Sequence, residues 1–226
     1  MKIVRIRFTL AFVLVLSASI VAGCGGAGGD GGQSTGPEAT PVFDVEAAIR
    51  AMFDTPATYE MTGSVQIGST ASELHETDTF TPGAPADSRV GDFLATELAR
   101  TVDQSVTRAT FYYTESPFRL VALKSNDSSI GRYTRVGDLP SGAFIGQSGE
   151  LATFAFDESS ITSSWSWMVE AAEVPETAWV CLVGSSIHGG SSHCLRVGAN
   201  GAILGARVVS VFGFSTSDLR SPLPSR

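Results

Sequence analysis

Apolar and polar residues follow two rhythms along this chain. The first is helical. Val45, Ala48, Ile49, Met52 and Phe53 keep the i, i+3, i+4, i+7, i+8 spacing of a helix with one buried face. Asp44 offers an N-cap, Thr55-Pro56 a stop, and Glu46 with Arg50 an i, i+4 pair on the wet side. The second rhythm has period two. Tyr59, Met61, Gly63, Val65 and Ile67 share one face, and Glu60, Thr62, Ser64 and Gln66 share the other. That predicts a half-buried strand over 59–67, with a more polar partner over 72–80. Val90, Phe93, Leu94, Leu98 and Thr101 predict a second helix over 90–102, with Glu97 as an intruder. Further strands are predicted over 106–114, 118–125, 131–136, 151–157, 161–169, 177–185, 193–198 and 202–214. One helical turn is expected over 168–174, before Pro175. Asn200-Gly201 is a strong hairpin signal and makes the last three strands a meander. The pattern predicts an α+β, β-rich fold. It is an antiparallel sheet on one or two helices, ending in a three-stranded meander.

The N-terminus has a different pattern. Lys2, Arg5 and Arg7 precede an almost wholly apolar run from Phe8 to Val21. At about 14 residues the run suits a signal-peptide core better than a membrane span. It ends in Val21-Ala22-Gly23-Cys24, which resembles the lipobox of bacterial lipoproteins. The resemblance implies cleavage after residue 23 and acylation of Cys24, with Gly25 favouring the outer membrane in a Gram-negative cell. The alternative is an ordinary secretory signal with an incidental cysteine. Residues 24–41 are rich in glycine and lack large apolar side chains, so they read as a disordered tether. They lack the Gly-Lys-Ser/Thr ending of a phosphate-binding loop. A single domain is expected over 42–219, with a frayed tail over 220–226.

Charge narrows the partners. The chain has 226 residues, 43% of them hydrophobic and 17% charged, and a formal net charge of −8. The leader holds three of the 15 basic residues and none of the 23 acids, so the mature charge is −11. Lys124 is the one lysine beyond the leader. Nucleic acid is a poor partner for such a surface. An acidic body is also repelled by anionic lipid, so membrane attachment falls to the acyl anchor. The expected place is the cell envelope, outside the cytoplasm.

Cys24 aside, Cys181 and Cys194 remain, on adjacent predicted strands and nearly symmetric about a polar tip. In an oxidising compartment such a pair reads as a disulfide. A metal site with His188 and His193, or free thiols, are the alternatives; His188-x4-His193-Cys194 matches no common zinc spacing. No catalytic motif is present. Gly146-Gln147-Ser148-Gly149 fails the nucleophile-elbow pattern at its last position. His75, among Glu73, Glu76 and Asp78, fits either a cation or general-base site or the solvated face of an edge strand. No cofactor is expected, and the protein reads as non-enzymatic.

Aromatics are the remaining signal. Phe154 and Phe156 lie two apart, as do Trp165 and Trp167, so each pair shares a face; Phe111 and Tyr113 add a third pair. They fit a filled core or the lining of an apolar cavity. Ala47-Ala48-Ile49 leading into Tyr59-Glu60-Met61-Thr62-Gly63-Ser64-Val65 resembles the exported lipoproteins of the LolA/LolB/LprG half-barrel type. That resemblance implies a curved, half-barrel-like sheet over the helices and a cavity for acyl chains. The resemblance transfers no cavity residues; the aromatic pairs themselves make Phe111, Tyr113, Phe154, Phe156, Trp165 and Trp167 the candidate ligand-binding residues. The expectation is an anchored lipoprotein holding lipid or another apolar ligand. The alternative is a structural or protein-partner module of the envelope with a filled core and no ligand.

Overall fold

The computed structural model describes residues 40–102, 104–157, 161–186, 189–212 and 215–221. The predicted signal peptide, most of the tether, Cys24, His188 and the last five residues lie outside the described residues. One helix, α1 (Val45–Asp54), precedes twelve strands. These are β1 (Ala57–Ile67), β2 (Thr70–Pro82), β3 (Leu94–Val102), β4 (Ser105–Thr114), β5 (Arg119–Lys124) and β6 (Ile130–Val136). There follow β7 (Ser148–Phe156), β8 (Thr162–Ala171), β9 (Thr177–Ser186), β10 (Gly189–Gly198), β11 (Ile203–Phe212) and β12 (Ser215–Arg220).

Each strand pairs antiparallel with its sequence neighbours, and β1 also pairs with β12, so the sheet closes into a twelve-stranded barrel. This corrects the expected half-barrel, and the LolA/LolB/LprG resemblance falls with it. The seam runs from Thr62 opposite Arg220 to Ile67 opposite Ser215. Gly63 makes it possible. A Cβ there would sit 2.1 Å from the Asp218 carbonyl oxygen, so only glycine lets the two backbones approach.

The second expected helix is strand β3. Thr96 and Leu98 are buried inside the barrel, and Arg100 follows them at period two. Glu97, the intruder on a helix, turns outward and pairs with Arg108. The predicted turn over 168–174 is likewise extended through Ala171.

α1 forms where its pattern requires. The Asp44 carboxylate accepts from Ala47 N–H at 2.8 Å, and Thr55 is already extended before Pro56. Val45, Ala48, Ile49, Met52 and Phe53 are all buried. The helix packs against β2, β3 and β9, and these five residues join one core cluster with inward residues of many strands. α1 therefore plugs the barrel from the end where β1 begins, called here the helix end. The β2–β3, β4–β5, β6–β7, β8–β9 and β10–β11 connections lie at that end; the opposite mouth carries the other hairpins.

The outer wall is largely polar, with Val106, Tyr133 and Val211 among its exposed apolar residues. Thr58, Glu60, Thr62, Ser64 and Gln66 are exposed on β1. Ion pairs such as Arg108–Glu97, Arg135–Glu150 and Arg207–Asp218 cross its surface. A membrane-spanning barrel has an apolar outward band. On β1 the outward residues are polar instead.

Cys181 and Cys194 face each other across β9 and β10 and are joined in a disulfide. It lies on the outer side, beneath Trp179 and Val183. Closing a loop with a sequence separation of 13 is worth about 3 kcal/mol in the chain-entropy model.

Candidate functional site

The six aromatic candidates converge inside the barrel, but around a helix rather than a lipid. Phe111, Tyr113, Phe154, Trp165 and Trp167 are buried in the main core cluster, with Phe156 partly buried against it. Phe53 of α1 sits among them. Its ring centroid lies 5.4 Å from Phe111, 5.5 Å from Tyr113 and 5.5 Å from Phe118. Phe111 in turn meets Trp165 edge-on at 5.1 Å. The end of α1 is fastened from the wall. The Thr96 hydroxyl donates to the Phe53 carbonyl at 2.5 Å, and Tyr113 donates to Asp54 at 2.9 Å. These bonds satisfy a carbonyl that the helix end leaves open.

The expected acyl-chain cavity is therefore occupied by protein. A hollow of about 230 Å³ remains toward the other mouth, against Leu98, Phe111, Leu123 and Trp165. Pockets for drug-sized ligands start at about 300 Å³. Beside it a hollow of about 420 Å³ opens to solvent, with Ser125, Asp127, Ser129, Ser163 and Ser186 on its walls besides Phe156 and Ile161. Neither is a closed apolar chamber.

One interior feature is polar. Glu76 and Asp78 on β2, Arg100 on β3 and His193 on β10 meet inside the barrel. Arg100 Nε lies 2.9 Å from Glu76 Oε1 and 3.3 Å from Asp78 Oδ1. Arg100 Nη2 donates to His193 Nε2 at 2.8 Å. His193 Nδ1 stands 3.2 Å from Asp78 Oδ2, close but poorly aligned for a hydrogen bond. Because the guanidinium can only donate, His193 Nε2 must accept, which puts the imidazole proton on Nδ1, facing Asp78.

Charges follow from this packing. Burial drives the His193 pKa down, and the neighbouring guanidinium adds to that against the pull of Asp78. The imidazole is neutral at pH 7. Burial works to raise the Asp78 pKa, but His193 and Arg100 outweigh it and hold the carboxylate ionised. Glu76 is pushed up to about 7, by burial above all and by the charge of Asp78, against the pull of Arg100.

Glu76 makes stability depend on pH. An unfolded Glu with an ordinary pKa of 4.5 loses its proton first, so stability is fully present below that value and lost as pH rises through about 7. His193 acts oppositely below its ordinary 6.5, where the unfolded chain takes up a proton that the folded one refuses. The difference between Glu76→Gln and the parent isolates the glutamate. In urea unfolding, the glutamine variant should gain about 3 kcal/mol relative to the parent between pH 4.5 and pH 8. A difference that stays flat with pH refutes the assignment.

His75 points outward and is exposed, near Glu73 at 3.6 Å. β2 is paired with β1 on one side and β3 on the other, so His75 does not lie on an edge strand. Alternation along β2 separates the sequence cluster, sending Glu73 and His75 to solvent and Glu76 and Asp78 inside. The parity was visible, since Leu74 and Phe80 share the inward register with Glu76 and Asp78. Among the described residues no group of three or more His, Cys, Asp or Glu is placed to hold a metal. Arg100 takes the position between the two carboxylates. The chain matches no protein-family model, and comparison with curated proteins and with solved structures likewise finds no match.

Proposed function

We propose that this chain is a lipid-anchored protein of the cell envelope whose barrel is a filled structural or partner-binding module. It acts through its outer surface, and its partner is another envelope protein. The observation that carries this reading is the seat of α1. Val45, Ile49, Met52 and Phe53 occupy the interior that an acyl chain would need. The polar cluster supports a non-enzymatic role, since the His193 nitrogen that would accept a nucleophile's proton is held by Arg100. The lipobox supports the anchor and the location.

Organic extraction and mass spectrometry of the purified full chain test the filled interior. No non-covalent lipid should be recovered in stoichiometric amount; about one lipid per chain would overturn the reading. Cys24→Ser tests the anchor. The variant should leave the membrane fraction, and continued retention would refute acylation as the means of attachment.

A further inference from the structure

We propose that the helix end of the barrel carries a bilayer-docking face built on the Phe144-Ile145 turn and Val42. The inference rests on acylation of Cys24.

Three observations converge. The first is exposure: Val42 is 49% exposed, Phe144 43% and Ile145 47%, and more of the large exposed apolar residues lie at this end than elsewhere on the barrel, where Ile67, Val106, Tyr133 and Val211 are exposed. The Phe43–Ala143 bridge places Val42 and Phe144 opposite each other on neighbouring segments. Phe93, Leu94, Val174 and Ile203, also exposed, lie at the same end.

The second is stiffness. Gln147 N–H donates to the Phe144 carbonyl at 3.1 Å, and Phe144 N–H donates to Gln147 Oε1 at 2.8 Å. Gly146, at φ +91°, turns the chain, and its N–H donates to the Val169 carbonyl at 2.8 Å. Surface turns ordinarily carry Asn, Asp, Ser or Gly. Here a braced turn displays Phe and Ile, so little conformational freedom is lost when they are buried.

The third is where the chain comes from. The described domain begins at Thr40, two residues before Val42 and sixteen after Cys24. Sixteen residues reach at most about 55 Å when fully extended. An acyl group on Cys24 thus keeps the bilayer within tethered reach of this patch and raises its effective concentration there. Asp44, Asp138, Glu173 and Glu176 lie at the same end, where Arg119 and Arg220 pair with Asp138 and Glu173, and the mature charge is −11. Docking is therefore apolar, favouring zwitterionic lipid and weakened by anionic lipid, the opposite of a basic membrane patch.

The test uses the full acylated chain in phosphatidylcholine vesicles carrying a lipid-borne quencher. Ser141→Cys places a fluorophore beside the turn, and Val106→Cys places one toward the opposite mouth. The label at 141 should be quenched about threefold more than that at 106, as expected when a leash and apolar contact act together. Adding phosphatidylglycerol, or the Phe144→Ser/Ile145→Ser pair, should bring 141 down to the level of 106. Equal quenching at both positions on an acylated chain overturns the docking face and leaves the anchor standing. An intact mass lacking acyl groups overturns the anchor and the docking face together. A label at 141 shielded from aqueous quencher but not reached by the lipid quencher means that a protein covers this end, and overturns the bilayer assignment.

Discussion

Replacing Phe53 with alanine should cost the barrel about 3–5 kcal/mol, among the largest losses a single truncation gives. Phe53 is fully buried, and its ring touches those of Phe111, Tyr113 and Phe118. The size of the loss depends on whether the space left behind can shrink. An open sheet could fold down over it. A closed barrel cannot, because its girth is set by hydrogen-bonded ladders around the whole circuit, including the β1–β12 seam. The neighbouring α1 carbonyl and Asp54 are also pinned to Thr96 and Tyr113, so the helix cannot slide inward. The truncation therefore leaves a cavity rather than a collapse, and the cost lies toward the upper part of that range. Urea unfolding measures it. A second readout is independent of stability: the variant should bind a small apolar solute such as benzene in the space that Phe53 leaves, in addition to any that the existing hollow of about 230 Å³ admits in the parent. A loss under about 1 kcal/mol, with no additional solute bound, means that the interior repacks freely and that α1 is not the plug described.

How much of this interior was readable from the residues depends on local pattern. α1 was legible because five apolar residues in helical spacing, a capping Asp and Thr-Pro all agree, and nothing distant competes. The Cys181–Cys194 pairing was legible because both residues flank one hairpin. Closure was not. It depends on β12, whose Ser-Thr-Ser-Asp-Leu-Arg contains one apolar residue, so period-two reasoning sees no strand there. Leu219 alone carries its core contact and is fully buried. The partner of β12 lies some 150 residues earlier in the chain, and only Gly63 hints at the close approach. β3 was misread for a related reason. Val90, Phe93, Leu94, Leu98 and Thr101 fit a helix on paper, yet a place between β2 and β4 rewards the extended form. The interior carboxylates were hidden by composition, since a run of acids around His75 looks like a wet face until its parity is compared with Leu74 and Phe80.

Arg100→Met should cost about 3–5 kcal/mol at pH 8, as removal of one partner from a buried ion pair does. Among the described residues, Arg100 is the cation that meets Glu76 and Asp78, and the other basic neighbour is a neutral imidazole. Methionine fills much of the same volume, so packing accounts for little of the loss. What remains is two carboxylates, both almost wholly buried, with the cation gone and the His193 acceptor unpaired. The sign of the pH dependence separates this from a packing defect. Without the guanidinium both carboxyl pKa values move upward, Glu76 from about 7 and Asp78 from below its ordinary value. The folded variant then holds protons that its unfolded chain has released, so its stability falls as pH rises and recovers as pH falls. Lowering the pH from 8 to 5 should therefore return a large part of the loss, most of it through Glu76. His193 contributes in the same direction, because an imidazole freed of its cationic neighbour and facing Asp78 accepts a proton more readily. Adding Glu76→Gln to Arg100→Met should restore stability at pH 8 by removing the more easily neutralised of the two charges. Urea titrations of the two variants at both pH values give the comparison. A loss that is equal at pH 5 and pH 8, and unchanged by the second substitution, would show that Arg100 serves the barrel by bulk alone and that the cluster is not electrostatically coupled.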